Sequence, residues 1–208
     1  MVRHATKSAA GSRAAKRPPD PRIERSKQVI RRAAVEELAD VGYGAFTIES
    51  VATRAGVGKS TIYRHWADKV SLIADAFETF HVQMVPDLER IPVRKKVELL
   101  VRHVAEIMAD SIFAQCIPAL IDGAERDIGL ADFLHHYSDE RRQGLVDVIA
   151  EGVATGELTL RISPEMAALL LLSPIFYRRL MSAEPFEPEA SAELVSAVLG
   201  RPRARRSA

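Results

Sequence analysis

The chain has one cysteine, Cys116, one tryptophan, and an aromatic content of only 6% over 208 residues. A single thiol excludes an internal disulfide framework and fits a reducing compartment, with a buried, inert side chain as its expected state. Long apolar runs are also missing. The most apolar stretch, 166–181, is interrupted by Ser173, Pro174, Arg178 and Arg179 and falls short of the roughly 20 apolar residues that cross a bilayer. The basic start holds no signal-peptide core. No membrane span is expected, and a cytoplasmic location follows. Strand signals are scarce too: only Leu158-Thr159-Leu160 qualifies, too short to argue for a sheet. Local spacing builds no Ser-His-Asp or Cys-His arrangement and no carboxylate pair, so nothing marks an enzyme or calls for a cofactor. Asp132 and His136 share a helical face, but two ligands are too few for a metal site.

What is present is an apolar content of 47%, ample for a packed core, and a marked charge asymmetry. Residues 1–70 carry fourteen Lys/Arg against seven Asp/Glu, whereas 71–200 carry eleven against twenty-one, so the net charge of +1 conceals a basic third joined to an acidic body. Such a division suggests a polyanion-binding module fused to a part that does something else.

Residues 1–19, rich in Ala, Ser, Pro, Lys and Arg without periodicity, read as a disordered basic arm, with weak phosphate or minor-groove contact as the alternative. The basic tail 201–208 reads the same way. Asp20-Pro21 is a helix start, and Ile30, Ala33, Ala34, Leu38 and Val41 form one apolar stripe that Gly42 closes. Thr47 is placed to cap a helix over 48–55, with Phe46 stapling onto Val51. Ser50 stands where a capping box carries Glu or Gln, so the box is expected to be incomplete. Gly56-Val57-Gly58 makes a turn, a short helix runs over 59–66, and Asp68 caps a fourth helix reaching toward Pro86, with Leu72, Ile73, Ala76, Phe77 and Phe80 inward. Beyond Pro92 every segment reads as helix: one from Val97 to Met108, one around 113–121 containing Pro118, one over 130–155, one over 164–183 after Ser163, and one over 188–199 before Gly200. The expected fold is all-α, a three-helix N-terminal unit over 20–67 arranged as a helix-turn-helix and a larger helical body over 68–200.

The stretch Ala55-Gly56-Val57-Gly58-Lys59-Ser60-Thr61-Ile62-Tyr63-Arg64-His65-Trp66 admits two readings. Gly58-Lys59-Ser60 ends like a phosphate-binding P-loop, which would make Lys59 part of a nucleotide hydrolase. That loop needs a glycine five positions before Gly58, where this chain has Thr53, and a buried strand ahead of it, where Ser50 to Ala55 reads as amphipathic helix. A helix-turn-helix accounts for every letter. Ala52 allows the helices to touch, Gly56 turns, and Val57, Ile62 and Trp66 pin the second helix inward. Gly58 lets backbone approach a phosphate, and Lys59, Ser60, Thr61, Tyr63, Arg64 and His65 face outward. Arg54 is equally a phosphate ligand or a helix-surface charge.

The run from Ile30 to Lys69 resembles the DNA-binding domain of TetR/AcrR-type transcriptional regulators, in the Gly-Tyr after the first helix, the Thr before the second, and Ile-Tyr-Arg-His-Trp ending on Asp-Lys. The resemblance covers about the first third of the chain, and Leu170 to Phe186 resembles the dimer-forming portion of one subgroup. It implies that Lys59, Ser60, Tyr63 and His65 contact DNA, that Thr47 and Lys69 hold phosphates from helix starts, and that Arg64 reads a base. Helix N-termini attract phosphate without reading sequence, while Arg64 or Lys59 paired with guanine would discriminate by about 1–3 kcal/mol.

A single reading unit covers one half-site weakly, so a homodimer on a palindromic operator is expected. The 164–183 helix, apolar on nearly all sides, needs burial on more than one face. Paired with the 188–199 helix across a two-fold axis, through Leu171, Ile175, Leu194 and Val198, it would form a four-helix bundle; an intrachain central helix is the alternative. In such regulators a small-molecule effector binds among the central helices and shifts the reading heads, with His103, Phe113, Ile117, Leu120, Phe133, His136, Tyr137 and Phe176 as candidate pocket residues. The reading is therefore a sequence-specific, ligand-responsive DNA-binding regulator acting as a repressor. A helical or P-loop enzyme and a non-specific nucleic-acid-binding protein are the competing classes.

Overall fold

The computed structural model describes residues 21–82 and 91–200. The basic arm, the Asp20 cap, the side chain of Phe80, the reach toward Pro86 and the basic tail lie outside the described residues. Among the described residues the chain forms α1 (Pro21–Ala45), α2 (Ile48–Ala55), α3 (Lys59–Tyr63), α4 (Lys69–Val82), α5 (Val93–Ala109), α6 (Ile112–Ala124), α7 (Ile128–Ala154), α8 (Pro164–Met181) and α9 (Ser191–Leu199), the last preceded by a 3-10 turn. No strand occurs among them, and no single helix is long and apolar enough to cross a membrane.

Short polar caps set the helix starts. Ser71 N–H donates to Asp68 Oδ1 at 2.7 Å ahead of α4, and Met166 N–H to Ser163 Oγ at 3.2 Å at the head of α8. Asp127 accepts from the N–H groups of Gly129 and Leu130, starting α7 two residues before the expected Leu130. Gly42, at φ 72° and ψ 171°, breaks α1 near its end because a left-handed residue cannot continue a helix. The expected cap at α2 needs one correction. Thr47 Oγ1 accepts from Ser50 N–H at 3.0 Å, and Thr47 N–H donates back to Ser50 Oγ at 3.3 Å, so the capping box is complete. A hydroxyl this close to the cap closes the ring as a longer carboxylate would.

Two apolar clusters hold the chain. The first gathers Ile30, Leu38, Phe46, Val51, Ile62, Trp66, Leu72 and Phe77 and extends into Phe113, Cys116 and Leu120 of α6 and Leu130 of α7. The second holds α5, α7, α8 and α9 together through Val97, Val101, Ile149, Leu171, Ile175 and Val195. Cys116 is fully buried, which pushes its thiol up to about 12. Leu158 is buried beside Gly152, and its N–H donates to the Gly152 carbonyl at 2.8 Å; it ends α7 and starts no sheet.

Candidate nucleic-acid interface

Gly56 (φ 66°, ψ 33°) stops α2 in the left-handed region, and Val57 N–H returns to Ala52 O at 3.0 Å, so the chain reverses within three residues into α3. This helix is shorter than the expected 59–66, since after Tyr63 it tightens into a turn with His65 and Trp66 N–H both on the Ile62 carbonyl. Gly58-Lys59-Ser60 therefore follows a helix and a turn. The P-loop reading lacks its strand.

Ile62 and Trp66 are buried and orient α3. Lys59, Ser60, Tyr63 and Arg64 are exposed, Tyr63 to 53%, whereas Thr61 and His65 are half-buried, His65 edge-on to Trp66 at 5.6 Å. An added Cβ at Gly58 would meet nothing nearer than Ser60 Oγ at 3.7 Å. Internal packing thus places no demand for glycine there. The Lys59 ammonium pairs with Glu49 and holds that carboxyl below its usual range. Both are well exposed, so the pair is weak. Arg54 is tied to α1, Nε to Glu37 Oε2 at 2.8 Å and Nη2 to Asp40 Oδ2 at 2.6 Å. Of its two readings, that is the geometry of a helix-surface ion pair. Thr47 is exposed at the α2 start, and Lys69 opens α4 with its ammonium 3.7 Å from the centroid of the Tyr43 ring.

Sequence reasoning missed the group that orients the reader. Asp75 on α4 accepts from Trp66 Nε1 at 2.7 Å and from Arg31 Nε and Nη2 at 2.9 and 3.2 Å, and Arg31 Nη1 donates on to Glu24 at 2.7 Å. Burial alone would push the Asp75 carboxyl up, but the hydrogen bonds from Arg31 and Trp66 outweigh it and hold it below its ordinary value. One carboxylate therefore joins α1, α4 and the end of the reading segment. The legible signal was a buried indole N–H that needs an acceptor, close to an acid set among Leu72, Ile73, Ala76 and Phe77.

In the body the candidate pocket residues separate. Phe113, Leu120, Phe133 and Tyr137 belong to the first cluster, where Phe77 meets Phe113, Phe133 and Tyr137 edge-on at 4.8, 6.4 and 6.0 Å. Ile117 and Phe176 pack against the second. His136 must be corrected: its side chain is 77% exposed and lies 3.3 Å from Glu140 one turn on, because α7 turns that position away from the bundle. His103 points inward, with Nε2 buried and unpartnered and its pKa lowered by burial. Arg141 stacks at 4.6 Å on Tyr137 and leaves its own Nε buried and unpartnered.

Two of the expected dimer residues, Leu171 and Ile175, need correction. Leu171 and Ile175 are buried within their own protomer, where that side of α8 packs on α5 and α7, and Leu194 and Val198 are half-buried on the same cluster. The opposite side of α8 is bare: Met166, Leu169, Leu170, Tyr177, Leu180 and Met181 are exposed along one stripe, beside an open groove of 660 Å³ between α8 and the 186–190 segment. A helix apolar all round has two faces to bury, and this protomer covers one.

A short outward-facing helix on a three-helix unit, whose apolar cluster continues into a larger helical body, defines a helix-turn-helix DNA-binding protein. Residues 30–76 match the family model described as bacterial regulatory proteins, tetR family, and residues 92–198 match the tetracyclin repressor-like C-terminal domain. The chain belongs to the TetR family of transcriptional regulators. It is 29% identical over 181 residues to the HTH-type transcriptional regulator YdeS of Bacillus subtilis, covering 84% of this chain and 88% of that one. It is 27% identical over 146 residues to the HTH-type transcriptional repressor KstR2 of Mycolicibacterium smegmatis, covering 66% and 69%. In fold it is similar to FadR of Bacillus subtilis, solved in complex with stearoyl-CoA, with a TM-score of 0.68 at 21% identity over 83% of this chain and 97% of that one. GusR of Salmonella enterica aligns with a TM-score of 0.69 at 18% identity, over 88% and 99%.

Proposed function

We propose that this regulator is a homodimeric repressor that reads a palindromic operator with α3 and releases it when a small molecule enters the body. The observation that carries the reading is the face of α3: Ile62 and Trp66 are anchored inward, Trp66 through Asp75, while Lys59, Ser60, Tyr63 and Arg64 stand outward. Two relatives support the finer terms, since one is named a repressor and another was solved with a long-chain acyl thioester. The effector we propose is apolar and carries hydrogen-bond acceptors. Phe77, Phe113, Phe133 and Tyr137 offer apolar rings, and the orphaned nitrogens of His103 and Arg141 are polar groups whose desolvation a ligand acceptor would offset.

Selection of bound duplexes from a random pool tests the reading. An enriched palindrome bound about 10³-fold more tightly than random duplex is expected, with a steep salt slope for both; equal affinity for the two would defeat it. On the selected site, Arg64→Ala should flatten preference at one base pair, a loss of about 1–3 kcal/mol there. Lys69→Ala should weaken every duplex alike and reduce the salt slope. If neither variant changes binding, α3 is not the reader.

A further inference from the structure

Pro118 lies inside α6 and has no N–H to return to the carbonyl one turn earlier. That carbonyl belongs to Ala114, which is buried. A charged side chain from a different helix satisfies it: Arg179 of α8 donates to Ala114 O from Nε at 3.1 Å and from Nη2 at 2.7 Å. The neighbouring Arg178 is directed to Ser182 and Glu184 instead, so Arg179 makes this contact alone. Two donors from one guanidinium on one carbonyl form a strong, charge-assisted attachment, and it joins the first half of α6 to α8.

The far end of α6 is built into the DNA-reading unit. A Cβ added to Gly123 would stand 2.6 Å from the Tyr43 ring and from Leu130, so α6 and that ring touch without a gap. Tyr43 Oη donates to Asp127 Oδ2 at 2.5 Å, the same carboxylate that caps α7, and the Lys69 ammonium at the start of α4 sits on the opposite partner, the Tyr43 ring itself. Two residues after Ala114, Cys116 Sγ approaches the Val35 carbonyl of α1 at 3.5 Å. α6 thus lies along α1 from Cys116 to Gly123, with Phe113 on Phe77 of α4 at its start, and Arg179 ties that same first turn to α8.

We infer that Arg179 is a positioning residue for DNA binding: through the carbonyl that Pro118 leaves open, it sets α6, and with it the attitude of the reading unit, from the α8 side. The inference rests on the reading of α8 as the face that joins two copies. In a dimer so joined, a shift of α6 relative to α8 changes the separation of the two α3 helices, and the Arg179 contact is what resists that shift. A ligand that moves α6 has to stretch it.

A double-mutant cycle tests this on the selected palindrome, with native protein, Arg179→Ala, Pro118→Ala and the double variant compared in operator affinity, thermal unfolding and sedimentation. In the native background Arg179→Ala should leave a folded dimer that binds the palindrome about tenfold more weakly. With Pro118→Ala, an alanine N–H closes the helical bond to Ala114, and the same change should alter affinity by less than about twofold. Arg179→Lys, the milder variant should the alanine prove too unstable to assay, is expected to fall between native and alanine. An Arg179→Ala dimer with lowered Tm but native operator affinity would reduce the residue to a structural one and overturn the inference, as would equal losses in the two backgrounds. A native chain that sediments as a monomer would overturn the dimer reading itself, whereas an additive cycle in a dimer overturns only the role of Arg179.

Discussion

Replacing Leu169 and Leu170 together with glutamate should turn the protein into a folded monomer and weaken palindrome binding by at least about a hundredfold. The two side chains are 47% and 44% exposed on the bare stripe of α8, so charges there meet water in the protomer and leave its core intact. In a dimer built on that stripe they would stand buried and like-charged across the two-fold axis, a cost of several kcal/mol per unpaired charge. Operator affinity falls with the dimer because two linked half-site contacts lose the gain in effective concentration, on the order of 10²–10⁴. Leu171→Glu, one position on, is the contrasting variant. Its residue is fully buried within the protomer, and the outcome there is unfolding. Sedimentation and duplex titration separate the cases, and a Leu169/Leu170 variant that remains dimeric with native affinity would show that the stripe is not the interface.

Asp75→Ala should lower stability by about 3 kcal/mol and abolish operator binding near the new midpoint. Its loss leaves the Arg31 guanidinium, whose side chain is only 9% exposed, with Glu24 as its remaining partner and the buried Trp66 indole N–H without its acceptor. Asp75→Asn keeps an acceptor for the indole and removes the charge, so it should fall between. The pH dependence has a definite sign. A carboxyl held below its ordinary 3.8 in the folded state stabilises above that value, and the contribution is lost as the pH falls through the folded pKa. Native protein should therefore lose stability more steeply than Asp75→Asn below about pH 4, and the two curves should run parallel at neutral pH. Denaturant midpoints across that range decide it; parallel curves throughout would show that Asp75 carries no such load.

Most of the helices and their caps were legible because the signals are local. Gly42 and Gly56 need left-handed backbone, Asp68, Thr47 and Ser163 bond to an N–H three residues on, and apolar spacing marks the inner faces. Lys59, Ser60, Tyr63 and Arg64 were legible as outward for the same reason, since the anchors at 62 and 66 fix the phase, whereas Thr61 and His65, expected outward too, are half-buried. Other features involve partners far apart in the chain. The Asp75 junction reaches back 44 residues to Arg31, and the Ala114 carbonyl finds its donors 65 residues on; no spacing rule reports such a meeting. His136 was misplaced because residue type alone does not say which side of a long helix meets the bundle. Leu171 and Ile175 were assigned to the wrong side of α8 because a helix apolar all round carries no phase.

Residue order alone settled that this chain is helical, where most of its helices lie to within about a turn, and that Lys59, Ser60, Tyr63 and Arg64 stand outward after Gly56, since each of these depends on neighbours within a turn or two. Which side of α8 is left bare, which carboxylate holds the indole, and which arginine answers the open carbonyl of α6 were settled by packing. Burial is a property of the surfaces that meet, and those surfaces exist once the helices have docked.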